Sequence, residues 1–466
     1  MKSPSGKLIT RIGDAYVDDA AFQATHNNPD CSHQELITSL PVLIEETLQD
    51  FERKLYVTGG ELSLSKTFYY LIAWMWDESG KARMGTIEET PGTVSLSKGE
   101  GTTKTEIKRY EVNEPKRTLG QRLCPTGTMI AEIAYKTEIC IRWAQAIYGC
   151  SLSRLDVYRA YNNVLIPQLA YTLPTTTINP KELKTLQTKV DQVYLPRIGL
   201  NRHFPQEMLW GPALYGGLEH LTFEDRQGIA HINLHLGVMR NGGDEADLLL
   251  TSLEYLQQDS GISQPVLSRQ AGASYLKWTE EVWLSTTKTY MDTHEGEILH
   301  TNGWLPKPQR EGDKFLMEHM GIALKGQNTI LQQLNRCRKY LQVTTLADIT
   351  TASGKNLCPK ALSGNKDSNR PSINTWINQG PIKKKYWKMW ERCIKETFCT
   401  KIKKKPTKTL LQKLGEWSEL DRHQNWRTYL IPQTSPVEER RRSPRILAKV
   451  RPVSNETQTH LQQDYR

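Results

Sequence analysis

One short stretch limits the folds open to this chain more than any other. Two adjacent carboxylates, Asp18 and Asp19, lie between two runs of β-prone residues, 8–17 and 20–23. This pattern predicts a strand–turn–strand hairpin with both aspartates at its tip. Carboxylate oxygens at an open tip are suitable ligands for a hard cation such as Mg²⁺, although an Asp-Asp pair is more commonly a plain polar turn.

The composition is that of a globular protein, because 38% of the 466 residues are hydrophobic and 24% are charged. The formal net charge of +10 favours a polyanionic partner, and nucleic acid is the first candidate. The eight cysteines are scattered without a Cys-x-x-Cys pair, which argues against a disulfide framework or a zinc knuckle and fits a reducing compartment.

The hydrophobic segments are too short to indicate a membrane protein. The N-terminal residues contain no apolar core of signal-peptide length. The longest apolar run, residues 68–76, has nine residues, too few to span a bilayer. We therefore expect an intracellular protein of the cytoplasm or nucleus that is not secreted and has no membrane partner.

A helix and a strand are predicted after the hairpin. Residues 32–55 carry apolar side chains at helical spacing, with Pro41 as a kink or as the true start and Gly59-Gly60 as the end. Residues 61–70 alternate apolar and polar side chains and predict a strand that carries Lys66. A lysine on an edge strand is commonly a plain surface residue.

These elements, in this order, resemble part of a known family. Tyr16-Val17-Asp18-Asp19, the helix, the glycine break and Ser65-Lys66-Thr67 resemble the second half of the reverse-transcriptase palm. Residues 117–123, which contain Leu119-Gly120, resemble the small hairpin that closes this palm. Blocks within residues 195–228 resemble the region after the polymerase in retroelement-derived reading frames, so that the likeness covers residues 1–330.

The resemblance implies a fold and a chemistry. The fold class is α+β: a partial reverse-transcriptase palm followed by a mainly helical, thumb-like region. The activity is RNA-templated DNA synthesis by two metal ions, Mg²⁺ or Mn²⁺, held by Asp18 and Asp19. Lys66 would donate a proton to the leaving pyrophosphate. Tyr16, Leu119 and Gly120 would contact nucleic acid, and the partners would be an RNA template, a DNA primer and deoxynucleotides.

Part of the palm is missing from this sequence. The family takes a third carboxylate from an earlier palm strand, yet only seventeen residues precede Asp18. Asp14 is too close along the same strand to replace it, and the fingers are absent as well. We therefore expect that this polypeptide alone does not polymerise DNA.

A second nucleic-acid candidate lies near the C-terminal end. Residues 383–405 contain ten basic and two acidic residues around an apolar helical stripe. Basic residues interleaved with aromatics suit phosphate contact and base stacking. The alternative is a small helical module whose aromatics form its core and whose lysines only face water. The candidate binding residues are Lys383, Lys384, Lys385, Trp387, Lys388 and Arg392.

His231 and His235 have metal-ligand spacing, but a core or solvated pair is favoured because no third ligand is evident.

The remaining segments give a domain plan. The predicted divisions are a partial palm (1–127), a helical thumb-like region (128–347), a linker (348–370), a basic aromatic helical module (371–431) and a disordered tail (432–466).

Two other functions stay open at this point. One is a non-catalytic nucleic-acid-binding protein that retains only the basic surfaces. The other is a retroelement-derived interaction protein built on the helical middle of the chain. The sequence leaves the oligomeric state undetermined.

Overall fold

The computed structural model describes residues 2–10, 13–16, 19–25, 32–77, 80–99, 101–301, 303–365, 376, 380–418 and 428–429. Helices and short two-stranded sheets make a mixed fold that is compatible with the predicted α+β class. The chain divides into two compact units. The first unit comprises residues 8–249 and 281–294, and the second comprises residues 2–7, 250–280 and the described part of 295–466.

The first unit begins with an antiparallel hairpin, β1 (Gly13–Tyr16) and β2 (Asp19–Phe22). Its register pairs Gly13 with Phe22 and Tyr16 with Asp19. The predicted strand–turn–strand is therefore confirmed, although β1 begins at residue 13 and not at residue 8.

The predicted amphipathic helix is also confirmed, as α1 (His33–Val57). Its start is a capping box: the Ser32 hydroxyl accepts the N–H of Glu35 at 3.3 Å, and the Glu35 carboxylate accepts the N–H of Ser32 at 2.7 Å. Pro41 lies inside α1 and is not its start. The helix ends before Gly59, whose φ of 84° is left-handed.

Short strands follow α1. They are β3 (Phe68–Tyr69), β4 (Trp74–Trp76), β5 (Ala82–Met84), β6 (Ser95–Ser97), β7 (Lys104–Glu106), β8 (Lys108–Arg109), β9 (Lys116–Thr118) and β10 (Gln121–Leu123). All pairs are antiparallel hairpins except β3 with β8, which is parallel. Their core packs together with residues of α1, and its buried members include Ile37, Leu71, Val94, Leu96 and Ile107.

The predicted strand over residues 61–70 is wrong for most of its length. Only Phe68 and Tyr69 are in a strand, and residues 64–66 form a turn. The carbonyl of Ser63 accepts the N–H groups of Lys66 and Thr67, each at 2.9 Å. These local hydrogen bonds replace the ladder bonds that an extended strand would need.

The rest of the first unit is helical, as predicted from residue 128 onward. Its helices are α2 (Ile130–Tyr148), α3 (Arg154–Ala160), α4 (Ile166–Ala170), α5 (Pro180–Ile198), α6 (Gln206–Trp210), α7 (Phe223–Asn241), α8 (Gly243–Ser260) and α9 (Trp283–Thr293). Residues from 250 onward in α8 belong to the second unit. A π-helical turn, Tyr161–Leu165, joins α3 to α4. The core includes Trp143, Tyr161, Val190 and Tyr194.

The second unit combines helices with a further hairpin. Its elements are α10 (Leu316–Ala323), α11 (Asn328–Leu341), α12 (Pro359–Leu362), α13 (Lys384–Phe398), β11 (Cys399–Ile402), β12 (Lys405–Leu410), β13 (Trp417–Ser418) and β14 (Thr428–Tyr429). Ring contacts attach α13 to its neighbours: Trp387 lies 5.6 Å from Tyr340 of α11, and Phe398 lies 5.9 Å from His319 of α10.

The predicted linker over residues 348–370 is packed as far as it is described, to residue 365. Ile349, Leu357 and Leu362 are buried, and the N–H of Cys358 donates to the Ile349 carbonyl at 2.8 Å. Apolar residues spaced among the Ser, Gly and Lys residues thus supply a core that composition alone conceals. The predicted tail, residues 432–466, lies outside the described residues. Among the helices that the structure describes, none has the length and apolarity needed to cross a membrane.

Candidate nucleic-acid interface

Asp19, one of the two predicted metal ligands, is the first residue of β2. Because Tyr16 pairs with Asp19, only residues 17 and 18 connect the two strands. Asp18 lies outside the described residues, and the structure describes only the backbone of Tyr16 and Asp19. At the other end of β2, the ring of Phe22 lies 4.4 Å from that of Phe51, which attaches the hairpin to α1.

Lys66 is exposed in its turn, and the following strand, β3, pairs with β8. The described sheets therefore do not join the predicted Lys66 strand to the β1–β2 hairpin. Within the described residues, no group of three or more His, Cys, Asp or Glu side chains could hold a metal ion. The roles of Asp18 and Asp19 as metal ligands and of Lys66 as a proton donor stay predictions.

The Leu119-Gly120 hairpin is present as predicted. Thr118 pairs with Gln121, and the two residues between them have left-handed φ angles of 46° and 84°. A two-residue type I′ loop requires both angles to be positive. A Cβ at position 120 would also lie 2.9 Å from the ring of Tyr171, so this exposed ring would have to shift if another residue replaced the glycine. The side chain of Leu119 is 48% exposed.

A buried polar network lies behind this hairpin, and no sequence pattern predicts it. The Glu132 carboxylate accepts the N–H of Arg122 at 3.1 Å and the hydroxyl of Thr172 at 2.8 Å. The Lys136 ammonium donates to Thr172 Oγ1 at 2.6 Å and to the Leu169 carbonyl at 2.7 Å. Burial lowers the pKa of Lys136. The network joins β10 and α2 to the end of α4 and to Thr172, which lies forty positions after Glu132.

Helix α13 separates its apolar and basic residues. Trp390, Cys393, Ile394 and Phe398 are buried on one side. Four exposed cations lie on the opposite side. Successive residues of a helix are 100° apart, so the positions of these four fall on one face. We call them the α13 basic face: Lys384, Lys385, Lys388 and Arg392. In the part of the chain that the structure describes, none of these four forms an ion pair.

The other predicted binding residues in this region differ from the basic face. Lys383 is exposed at the N-cap position of α13. Trp387 is only half-buried, but a Cβ on Gly364 would collide with its indole ring, so the ring packs against the protein on at least one side. Trp387 is therefore a poorer stacking surface than the sequence suggests.

The predicted helical module is wrong beyond Phe398. Residues 399–410 form the β11–β12 hairpin, in which Lys401 and Lys405 are exposed on the strands and Lys403 and Lys404 are exposed in the loop. The apolar stripe that predicts a helix ends at Phe398. β-branched residues then alternate with lysine up to Ile402, which is the pattern of a strand.

His231 and His235 are a buried pair in α7, as the sequence favours. His231 Nε2 lies 2.7 Å from the Thr176 carbonyl, and Nδ1 lies 3.1 Å from Thr287 Oγ1. Both ring nitrogens of His231 thus have protein partners. Burial lowers the pKa of His231 and keeps the ring neutral.

A second aromatic and polar cluster in the first unit is equally hidden from sequence patterns. Tyr161, in the π-helical turn, stacks on Tyr194 with ring centroids 4.2 Å apart. The His220 ring lies 5.1 Å from Tyr161, and its Nε2 lies 3.4 Å from an oxygen of Asp191. Three separate helices or loops contribute these residues, so only the folded chain shows the cluster.

Comparison with known proteins gives no family to which the chain can be assigned. No family model matches it, and neither a curated protein nor a solved structure is similar to it at a significant level.

Proposed function

We propose that this protein binds nucleic acid through the α13 basic face. The observation that carries the proposal is the arrangement of α13: exposed, unpaired cations on one side and a buried Trp390–Phe398 stripe on the other. Glu391 pairs with Lys395 at 2.6 Å and leaves the four cations of the face unneutralised. Glu396 flanks the face without an ion pair among the described residues.

The position of the lysines along the helix favours a binding role over simple solvation. Lys383, Lys384 and Lys385 lie at the N-terminus of α13, and no acidic residue lies in its first turn. The helix dipole is positive at this end, so lysines there reduce helix stability and add to the attraction of the helix N-terminus for anions. From Lys384 to Arg392 the face extends along roughly 12 Å of helix, a length that matches a few phosphates of one strand.

Binding of labelled DNA and RNA to the full chain at a series of salt concentrations tests the proposal. We expect affinity that falls steeply with salt in the unmodified protein. Replacing the basic face by glutamine, in K384Q/K385Q/K388Q/R392Q, should reduce both the affinity and its salt dependence. A variant with the same loss of charge at exposed lysines elsewhere is the matched control, and it should bind almost as the unmodified protein does: K81Q/K181Q/K184Q/K325Q.

The β1–β2 register favours a second candidate, reverse-transcriptase ancestry. Asp19 begins β2 and Asp18 precedes it in the sequence, so two carboxylates that suit a hard cation adjoin this hairpin. Bound Mg²⁺ or Mn²⁺ would activate the primer hydroxyl and stabilise the leaving pyrophosphate. The order of β1–β2, α1 and the Leu119-Gly120 hairpin supports the same ancestry.

Primer extension by the full chain with Mg²⁺ or Mn²⁺ tests this second candidate. Clear template-dependent extension would support it. If extension occurs, Asp18→Ala should abolish it and leave salt-dependent binding by α13 intact. If Asp18→Ala also lost nucleic-acid binding, the binding site would not lie on α13.

A further inference from the structure

The β11–β12 hairpin ends in a loop that is strained for its residues. Lys403 and Lys404 form the two-residue loop, with left-handed φ angles of 51° and 65°. Such loops match the twist of the flanking strands, but they favour Asn-Gly because a residue with a larger side chain is strained at positive φ. Two lysines at these positions therefore disfavour folding, which points to a role for their ammonium groups.

The hairpin is highly charged. Residues 399–410 contain five lysines and no acidic residue. All five are exposed, and within the described residues none is in an ion pair. Ile402, next to the loop, is 67% exposed and pairs with Lys405. Lysines on strands commonly protect sheet edges from aggregation, but this explanation does not cover Lys403 and Lys404, which lie in the loop.

The base of the hairpin is held by buried residues and by hydrogen bonds to residues 355 and 357. Among the described residues, its loop makes no such contact with the rest of the unit. Cys399 and Leu410 are buried. The N–H of Leu410 donates to the Lys355 carbonyl at 2.8 Å, and the Lys408 carbonyl accepts the N–H of Leu357 at 2.9 Å. A ribbon anchored at its base loses less conformational freedom on binding than an unanchored segment would.

We propose that the tip of the β11–β12 hairpin enters the major groove of double-stranded DNA. This inference rests on the proposed function and names the form of nucleic acid that the second unit recognises. The major groove of B-form DNA is about 12 Å wide and admits a two-stranded ribbon, whereas the minor groove is about half as wide. The deep, narrow major groove of RNA duplexes excludes side chains.

The residue types at the tip suit that groove. Lys403 and Lys404 can contact the phosphates that border it or the O6 and N7 acceptors of guanine. The exposed side chain of Ile402 offers an apolar contact for the methyl group of thymine. A single strand offers no groove, so it should use the α13 basic face without the tip.

The variant K403N/K404G tests the proposal, because Asn-Gly relieves the loop strain and keeps the hairpin. The probes are a 20-base-pair DNA duplex, an RNA duplex of the same sequence and a single DNA strand. We expect the variant to have a higher melting temperature. It should bind the DNA duplex about tenfold more weakly, because two phosphate contacts are lost at moderate salt, and it should bind the other two probes as before. The charge-matched control K181N/K184N, at two exposed lysines of α5, should bind all three as before.

Two outcomes would overturn the inference: equal losses on all three probes, or unchanged binding of the DNA duplex.

A competition experiment shows which groove the protein occupies, since methyl green occupies the major groove and netropsin the minor groove. Methyl green should displace the protein, and displacement by netropsin alone would contradict the proposal. If the α13 variant loses binding while K403N/K404G does not, only this inference fails. If the unmodified protein binds no probe, the proposed function fails with it.

Discussion

Glu132 and Lys136 form an ion pair inside the first unit, with 3.5 Å between Oε1 and Nζ and side chains only 1% and 2% exposed. Both charges are removed from water. Each is stabilised by the opposite charge of its partner and by a hydrogen bond with the hydroxyl of Thr172. The pair also supports the Leu119-Gly120 hairpin, since Glu132 accepts the N–H of Arg122 in β10.

Removing one partner of this pair should be costly. Glu132→Ala leaves the Lys136 ammonium buried without a counter-charge, and we expect the free energy of unfolding to fall by about 3–5 kcal/mol. The double variant E132A/K136M should be more stable than E132A, because it also removes the unpaired buried ammonium of Lys136. Urea denaturation measures both, and an E132A protein within about 0.5 kcal/mol of the unmodified one would show that the pair is not buried.

The contact between Phe22 and Phe51 should hold the β1–β2 hairpin on α1. Phe22→Ala removes a ring that is 37% exposed and in contact at 4.4 Å, so we expect a loss of about 1–2 kcal/mol in the free energy of unfolding. Val57→Ala, at a side chain that is 85% exposed, is the control and should change stability by less than about 0.5 kcal/mol. Equal stability of the two variants would mean that the hairpin does not pack on the helix.

Acid should destabilise the protein through His231. Burial lowers its pKa in the folded state, so the unfolded chain binds the proton more tightly. The stability contributed by the neutral ring is therefore complete above the unfolded pKa of about 6.5 and is lost as the pH falls towards the folded pKa, by at most about 1.4 kcal/mol per pH unit.

The variant His231→Gln keeps a donor and an acceptor for Thr176 and Thr287 but cannot titrate. Its free energy of unfolding should vary less between pH 7 and pH 5 than that of the unmodified protein. His203→Gln, at an exposed ring, is the control for the loss of a histidine. A pH dependence that is the same in the His231 variant would contradict the assignment.

Local signals in the sequence predict the local structures well. The capping box at Ser32 and Glu35 and the apolar spacing of α1 are sufficient for the first helix. The hairpin at Leu119-Gly120 is expected from the family resemblance, and glycine suits the left-handed φ of 84° at position 120. The β1–β2 hairpin follows from alternating β-prone residues on both sides of a polar turn.

The features that depend on distant residues are not predictable in this way. The strand predicted around Lys66 fails because the alternating pattern does not show that Ser63 closes a turn, or that the partner of β3 is β8 some forty residues later. The lysine-rich run at residues 399–410 conceals a hairpin because its charge obscures the strand pattern. The network of Glu132 and Thr172 combines residues forty positions apart.

The most direct test of the central proposal is the salt dependence of DNA binding by the α13 basic face. A plot of log affinity against log salt concentration for duplex DNA has a slope of about −0.9 per phosphate contact. We predict that K384Q/K385Q/K388Q/R392Q reduces the magnitude of this slope by about 2–4, whereas K81Q/K181Q/K184Q/K325Q leaves it nearly unchanged. Equal slopes for the two variants would contradict the proposal that α13 binds nucleic acid.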